Sequence, residues 1–253
     1  MIDTPRIAII TGGSRGLGRN TVLNLARRGV HVILTYNCSL GEANTVVAGA
    51  GEAGTEAVAL RLDMGDVSSF AAFADSVRAV LVRLGAERFD YLVNNAGISH
   101  HNSFTATTEA ELDALYNVNF KGVFFLTQTL LPLMNDGGRI VNISSGLTRF
   151  TTPDTIPYAS LKGAIEVFTH YLAKDLGPRG ITVNAVAPGA IQTDFSGGTV
   201  RDNPEVNAFV SSITALGRPG VPDDIGPMIA SLLSDNNRWV TGQRIEVSGG
   251  MNL

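Results

Sequence analysis

Tyr158 and Lys162 stand four residues apart in a stretch, Pro157 to Leu176, that reads as a helix. At that spacing two side chains share one helix face. A phenol ordinarily releases its proton near pH ~10. A neighbouring ammonium favours the phenolate and lowers that value. Acid–base groups work best with a pKa near the working pH, so this pair is a candidate proton donor and acceptor. A second chemical feature is the turn Thr11-Gly12-Gly13-Ser14-Arg15-Gly16-Leu17-Gly18, between an apolar run and a helical stretch. Glycine lets backbone N–H groups approach a pyrophosphate closely, and the start of the following helix favours negative charge. Arg15 inside that turn can pair with a phosphate through two parallel hydrogen bonds; it also suits a solvated loop. His100 and His101 are adjacent, so they cannot share a strand or helix face, and a pocket rim suits them better than a metal pair. Arg149 could meet an anionic group or remain in solvent.

These residues are spaced along an alternation of strands and helices. Residues 1–10 read as the first strand, with Ile7-Ala8-Ile9-Ile10 as its β-branched body, so no signal peptide is expected to precede the fold. Helical spacing runs from Leu17 to Arg28 and stops at Gly29. Strands follow at 30–36, 57–62, 89–93, 138–144, 181–187 and 243–247. Helices are expected over 41–52, 67–84, 109–134, 157–176 and 225–233. Nearly continuous apolar strands alternating with helices indicate a parallel sheet covered on both faces. No linker splits the chain, so residues 1–253 read as one domain. One long stretch, 189–222, reads as irregular, and a segment of that kind in a compact domain suits a lid beside the substrate.

Composition narrows the function classes. Hydrophobic residues are 44% of the 253 and charged residues 17%, which excludes a disordered chain. A formal charge of -4 without a Lys/Arg run argues against nucleic-acid binding. The single cysteine, Cys38, excludes a disulfide framework and a multi-cysteine metal site, and it fits a reducing cytoplasm. No apolar run approaches the ~18 residues needed to span a membrane.

The glycine spacing is T-G-x-x-x-G-x-G. Downstream come Asn94-Asn95-Ala96-Gly97, Tyr158-Ala159-Ser160-Leu161-Lys162, Pro188-Gly189, Val240-Thr241-Gly242 and Gly249-Gly250. In this order the motifs resemble those of the short-chain dehydrogenase/reductase family, and they cover nearly the whole chain. The turn TGGSRGLG and the length look most like 3-oxoacyl-carrier-protein reductases and their relatives. The resemblance implies an α/β, doubly wound (Rossmann) seven-stranded parallel sheet. A nicotinamide dinucleotide would lie across the carboxyl ends of the strands. It also implies a homotetramer or homodimer, with the 109–134 and 157–176 helices forming one interface.

Site residues carry over position by position. The serine thirteen residues before Tyr158 is Ser145, which would hydrogen-bond the substrate oxygen; Ser144 would alternate to the other side of the strand end. Asn119 matches the helix asparagine that holds a water linked to the lysine. Asn117 competes by composition, but the spacing to Gly122 favours Asn119. Gly12, Ser14, Arg15, Gly16, Leu17 and Gly18 would cradle the pyrophosphate. Asn95, Ala96 and Gly97 would follow the fourth strand against the cofactor, and Lys162 would contact the nicotinamide ribose. Pro188, Gly189 and Ile191 would flank the nicotinamide, with Thr193 near its carboxamide. Asp63 would bond the adenine with Met64 nearby, although a turn aspartate is the alternative.

The second strand ends at Tyr36-Asn37-Cys38-Ser39, with no carboxylate before Glu42. An acidic residue there would bind a ribose 2′-OH and repel a 2′-phosphate. Arg15, with hydrogen bonds from Asn37 and Ser39, favours NADP(H), while NAD(H) stays open. The expected function is an oxidoreductase interconverting a small-molecule carbonyl and a secondary alcohol. Competing readings are an NAD-dependent sugar or polyol dehydrogenase and a non-catalytic dinucleotide-binding regulator. The substrate would meet residues 98–102, 146–152 and 190–209, with Phe150, Phe195 and Phe209 as apolar wall. Carrier-protein recognition leans on a basic patch, and no clustered Lys/Arg lies beside the expected entrance.

Overall fold

The computed structural model describes residues 6–253; the expected start of the first strand, residues 1–5, lies outside the described residues. The strands are β1 (Ile7–Ile10), β2 (His31–Tyr36), β3 (Ala57–Arg61), β4 (Phe89–Asn94), β5 (Met134–Ile143), β6 (Thr182–Pro188) and β7 (Arg244–Val247). The helices are α1 (Gly16–Ala26), α2 (Leu40–Glu52), α3 (Phe70–Arg83), α4 (Glu109–Tyr116), α5 (Gly122–Leu130), α6 (Ile156–Leu176), α7 (Thr199–Asp202), α8 (Pro204–Ser212) and α9 (Pro222–Leu232). All seven strands are parallel, in the order β3-β2-β1-β4-β5-β6-β7. The chain reverses its winding between β1 and β4, where such sheets open a ligand crevice at the strands' carboxyl ends.

Strand side chains alternate between faces. Ile7 and Ile9 enter one core with Phe70, Leu81, Leu126 and Ile165, from α3, α5 and α6. Ala8 and Ile10 enter the other with Val22, Leu25, Val46 and Ile229, from α1, α2 and α9. Both faces are thus covered, which explains the unbroken apolar strands.

Three expected elements differ from the structure. The helix expected over 109–134 is broken into α4, a π-turn at Asn117–Lys121, α5 and a 3-10 turn at Leu131–Leu133. Helical periodicity survives a π-turn, so the pattern alone does not show the break. β5 starts at Met134, four residues earlier than expected, and its register with β4 shifts between Phe89 and Tyr91 to absorb Asn135–Gly138. The 189–222 stretch is not irregular: it holds a 3-10 turn at Phe195–Gly198, then α7 and α8. The signal was in the sequence. Asn203 Oδ1 accepts from the N–H groups of Glu205 (2.9 Å) and Val206 (3.2 Å), with Pro204 in the first turn of α8, the expected chemistry of a helix start.

Leu92 sits at the sheet centre, 1% exposed. Leu92→Ala should cost about 2–5 kcal/mol. Urea unfolding should show a lower midpoint with an unchanged slope.

Candidate active site

A cavity of about 660 Å³ opens at the carboxyl ends of the strands. Its wall includes Gly12, Ser14, Arg15, Gly16, Leu17, Asn37, Ser39, Asp63, Met64, Asn95, Ala96 and Gly97. Ser145, Tyr158, Lys162, Pro188, Gly189, Ile191 and Thr193 line it as well. Gly18 and Asn119 do not reach the surface of the cavity; they support its wall. Gly12 adopts φ +63°, and a Cβ on Gly18 would collide with the Gly12 carbonyl oxygen. Only glycine lets α1 begin this close to the turn.

The turn is tied to the loop after β4. Thr11 Oγ1 accepts from the N–H groups of Asn95 and Ala96, both at 3.0 Å. Asn95 Nδ2 donates to the carbonyls of Thr11 (2.8 Å) and Gly12 (3.1 Å). This cradle fits a dinucleotide: free backbone at a helix start, no carboxylate at 36–39, and Arg15 exposed at the rim. Asp63 Oδ1 accepts from Gly65 N–H at 2.8 Å, so it holds its own turn while lining the cavity.

Ser145, Tyr158 and Lys162 converge from the end of β5 and from α6. The Ser145 side chain acts on the Tyr158 phenol, lowering its pKa, and its Oγ accepts from Leu147 N–H at 3.2 Å. Ser144 does point elsewhere, donating to Glu166 Oε1 at 2.6 Å. Lys162 is buried, and its Nζ donates to the Ile143 carbonyl at 2.8 Å. That nitrogen lies 5.6 Å from the centre of the Tyr158 ring. Asn119 is fully buried in the π-turn. Both arms of its amide go to Ile98: Nδ2 donates to the carbonyl (2.8 Å) and Oδ1 accepts from the N–H (3.0 Å). A Cβ on Gly97 would stand 2.9 Å from Asn119 Oδ1 and 3.7 Å from Lys162 Nζ, so this glycine lets the two side chains converge.

The electrostatics differ from the simple expectation for Tyr158. Burial pushes its phenol above the ordinary value, and the Ser145 side chain pulls it down by less. The Lys162 ammonium is turned to a backbone carbonyl rather than to the phenol oxygen. Burial also pushes Lys162 itself down to about 8.

The other candidates separate clearly. Arg149 is outside the cavity wall. Its Nε and Nη2 donate to Glu246 at 2.6 and 2.7 Å, and its Nη1 and Nη2 donate to the Asn252 and Met251 carbonyls. The guanidinium anchors the C-terminal turn and is not free for an anionic substrate. His100 and His101 both line the cavity. His100 Nε2 is 2.8 Å from Glu111 Oε1, and His101 Nε2 is 3.5 Å from Ser196 Oγ. Among the described residues no three His, Cys, Asp or Glu side chains gather to hold a metal. Phe150, Phe195 and Phe209 do form apolar wall, with the Phe195 ring 6.0 Å from that of Tyr158. Met251 was not legible beforehand. It joins the wall because its backbone bridges to Thr214, just past α8 within the 189–222 segment.

The lowered Lys162 pKa has a stability consequence. Unfolding lets this lysine bind a proton more tightly, so its burial weakens the fold below pH 8. Lys162→Met should raise the melting temperature of the cofactor-free protein at pH 7. The margin should shrink as pH rises from about 8 toward the ordinary lysine value of 10.5. Calorimetry across that range checks both statements.

Residues 12–252 match the family model described as enoyl-(acyl carrier protein) reductase. The chain is 35% identical to the tetrahydroxynaphthalene reductase PfmaG of Pestalotiopsis fici, over 97% of this chain and 91% of that one. It superposes with a TM-score of 0.91 on LugOII, described as a promiscuous reductase catalysing keto-reduction at C1 during lugdunomycin biosynthesis, at 39% identity over 99% of both chains. The angucycline C-6 ketoreductase LanV with bound NADP matches with a TM-score of 0.92 and 35% identity, over 98% of this chain and 95% of that one. With its seven-stranded parallel sheet and the ordered motifs from the Gly12 turn to Gly250, the chain belongs to the short-chain dehydrogenase/reductase family.

Proposed function

We propose that the protein is an NADPH-dependent reductase of a ketone carried on an apolar, ring-bearing molecule. The observation that carries this reading is the continuity of one cavity. Arg15 stands at its rim and Tyr158 lies beside Phe195, while Phe150, Phe209 and Met251 line the same cavity. The reductases PfmaG, LugOII and LanV support the same substrate chemistry by similarity, and LanV supports NADP.

NADPH, when bound, supplies the hydride. Gly12, Ser14, Gly16 and Leu17 would hold its pyrophosphate, Arg15 its 2′-phosphate with Asn37 and Ser39, and Lys162 its nicotinamide ribose. Ser145 orients the substrate carbonyl by hydrogen bonding its oxygen. Tyr158 gives that oxygen a proton as negative charge develops on it. A phenol kept protonated by burial suits the reducing direction. Lys162 provides the cation that stabilises the tyrosinate left behind. Asn119 fixes Ile98 and, with it, the loop after β4 that would border the cofactor. The 189–222 segment, with Phe195 and Phe209, acts as a lid that excludes water. The aromatic, exposed faces of α5 and α6, with Phe124, Phe125 and Tyr171, suit pairing with a second copy.

A polyol dehydrogenase is disfavoured by the apolar wall, and a non-catalytic regulator by the intact Ser145, Tyr158 and Lys162. Tyr158→Phe should lower keto-reduction by roughly 10²- to 10⁴-fold while NADPH still binds, followed by nicotinamide fluorescence. Normal turnover would refute the acid role. Arg15→Ala should weaken NADPH binding by about tenfold or more and leave NADH nearly unchanged. Equal losses would remove the 2′-phosphate assignment.

A further inference from the structure

Beneath the loop that carries Ser145 lies a cluster of charged side chains from three separate elements. Glu166 is one turn past Lys162 and two past Tyr158, on the same face of α6. Its Oε1 accepts from Ser144 Oγ (2.6 Å) and Arg244 Nε (2.8 Å), and Thr148 Oγ1 stands 2.7 Å away. Arg244 opens β7. Its Nη1 donates to Glu246 Oε2 at 3.0 Å, and its Nη2 donates to the backbone carbonyl of Ser145 at 3.3 Å. Arg149 grips both oxygens of Glu246, sharing Oε2 with Arg244. The Arg244 and Glu166 side chains are only 21% and 15% exposed.

We propose that Arg244, fixed between Glu166 and Glu246, is a positioning residue that sets the Ser145 backbone, and so its hydroxyl, against Tyr158. Ser145 sits in extended backbone just before the 3-10 turn Gly146–Thr148. Its neighbour Ser144 is pinned on both sides, by its N–H to the Val186 carbonyl (2.7 Å) and by its hydroxyl to Glu166. Among the described residues, the Ser145 carbonyl has only the turn's own Thr148 and Arg244 as partners. A planar guanidinium can serve Glu166, Glu246 and this carbonyl at once, because its donors diverge in a fixed fork. Through Glu166 the same cluster ties β5 and β7 to the helix that carries Tyr158 and Lys162. Serine and tyrosine are therefore held in one frame, although they come from different elements.

The inference rests on the reading that Ser145 and Tyr158 carry the reduction, and the test separates the two. Arg244→Lys keeps a cation between the two glutamates but has no second nitrogen in a fork to reach the Ser145 carbonyl. It should fold, bind NADPH with a wild-type Kd, and lose kcat by roughly tenfold with little change in KM. The alkaline limb of its kcat profile should move to higher pH, because a misplaced Ser145 no longer holds the phenol down. Lys162 is the titratable group beside Tyr158, and Glu166, Glu246 and Arg149 surround Arg244; all four are retained in this variant. In a Ser145→Ala background, Arg244→Lys should cause no further loss. Arg244→Met, measured alongside with its melting temperature, should repeat the non-additivity. An equal loss in both backgrounds, or wild-type kcat and limb in Arg244→Lys, would overturn the inference while leaving the catalytic reading intact. Full turnover in Ser145→Ala alone would overturn the reading itself.

Discussion

The clasp between Thr11 and Asn95 is the constraint on which the site depends. β1 and β4 are adjacent in the sheet, and the chain reverses its winding between them. Thr11 Oγ1 takes two backbone N–H groups from the β4 loop, and Asn95 Nδ2 returns two bonds to the β1 turn. Four bonds thus lock the two loops that form the cradle. The backbone groups meeting a phosphate are fixed before it arrives, so little ordering is left to oppose binding.

From that clasp the order passes inward. Ala96 and Gly97 follow Asn95, and the next residue, Ile98, is gripped from both sides by the Asn119 amide. Asn119 reaches it from a π-turn, where one extra residue widens the helix. A regular helix from 109 to 130 would rotate this side chain away from the loop. The break in helical order is thus tied to the loop that borders Lys162.

Tyr158 and Lys162 sit where burial works against their charged forms. Lys162 is buried with a single backbone acceptor, and burial holds its pKa down near 8. Tyr158 is pushed the opposite way. Each shift opposes the charged form, which is the penalty of removing water from the site. Charges better shielded from that penalty lie just behind. Glu166, Arg244, Glu246 and Arg149 are mutually paired and brace the end of β5 against α6 and β7. Paired charge thus lies behind the two side chains whose charged forms burial disfavours.

The sequence alone determined the alternation of strands and helices, the parallel sheet, and the glycine turn. It also located Tyr158 and Lys162 and, through the resemblance, Ser145. These are local facts: periodicity, glycine spacing and a four-residue helical step survive in one dimension. Near misses were also local, since Asn203-Pro204 already marked α8 within a stretch read as irregular. Tertiary structure decided the rest. Arg149 reads as a free cation near the serine until β7 places Glu246 against it, ninety-seven residues away in sequence. Met251 becomes pocket wall only because the C-terminal turn folds back to Thr214. The Tyr-Lys spacing pointed to a lowered Tyr158 pKa, and burial reversed that sign. Spacing fixes which face two groups share, whereas burial and the direction of the Lys162 ammonium depend on β5 and its carbonyl at Ile143. Desolvation and long-range pairing are properties of packed surfaces, and those exist only once the sheet and helices have closed around them.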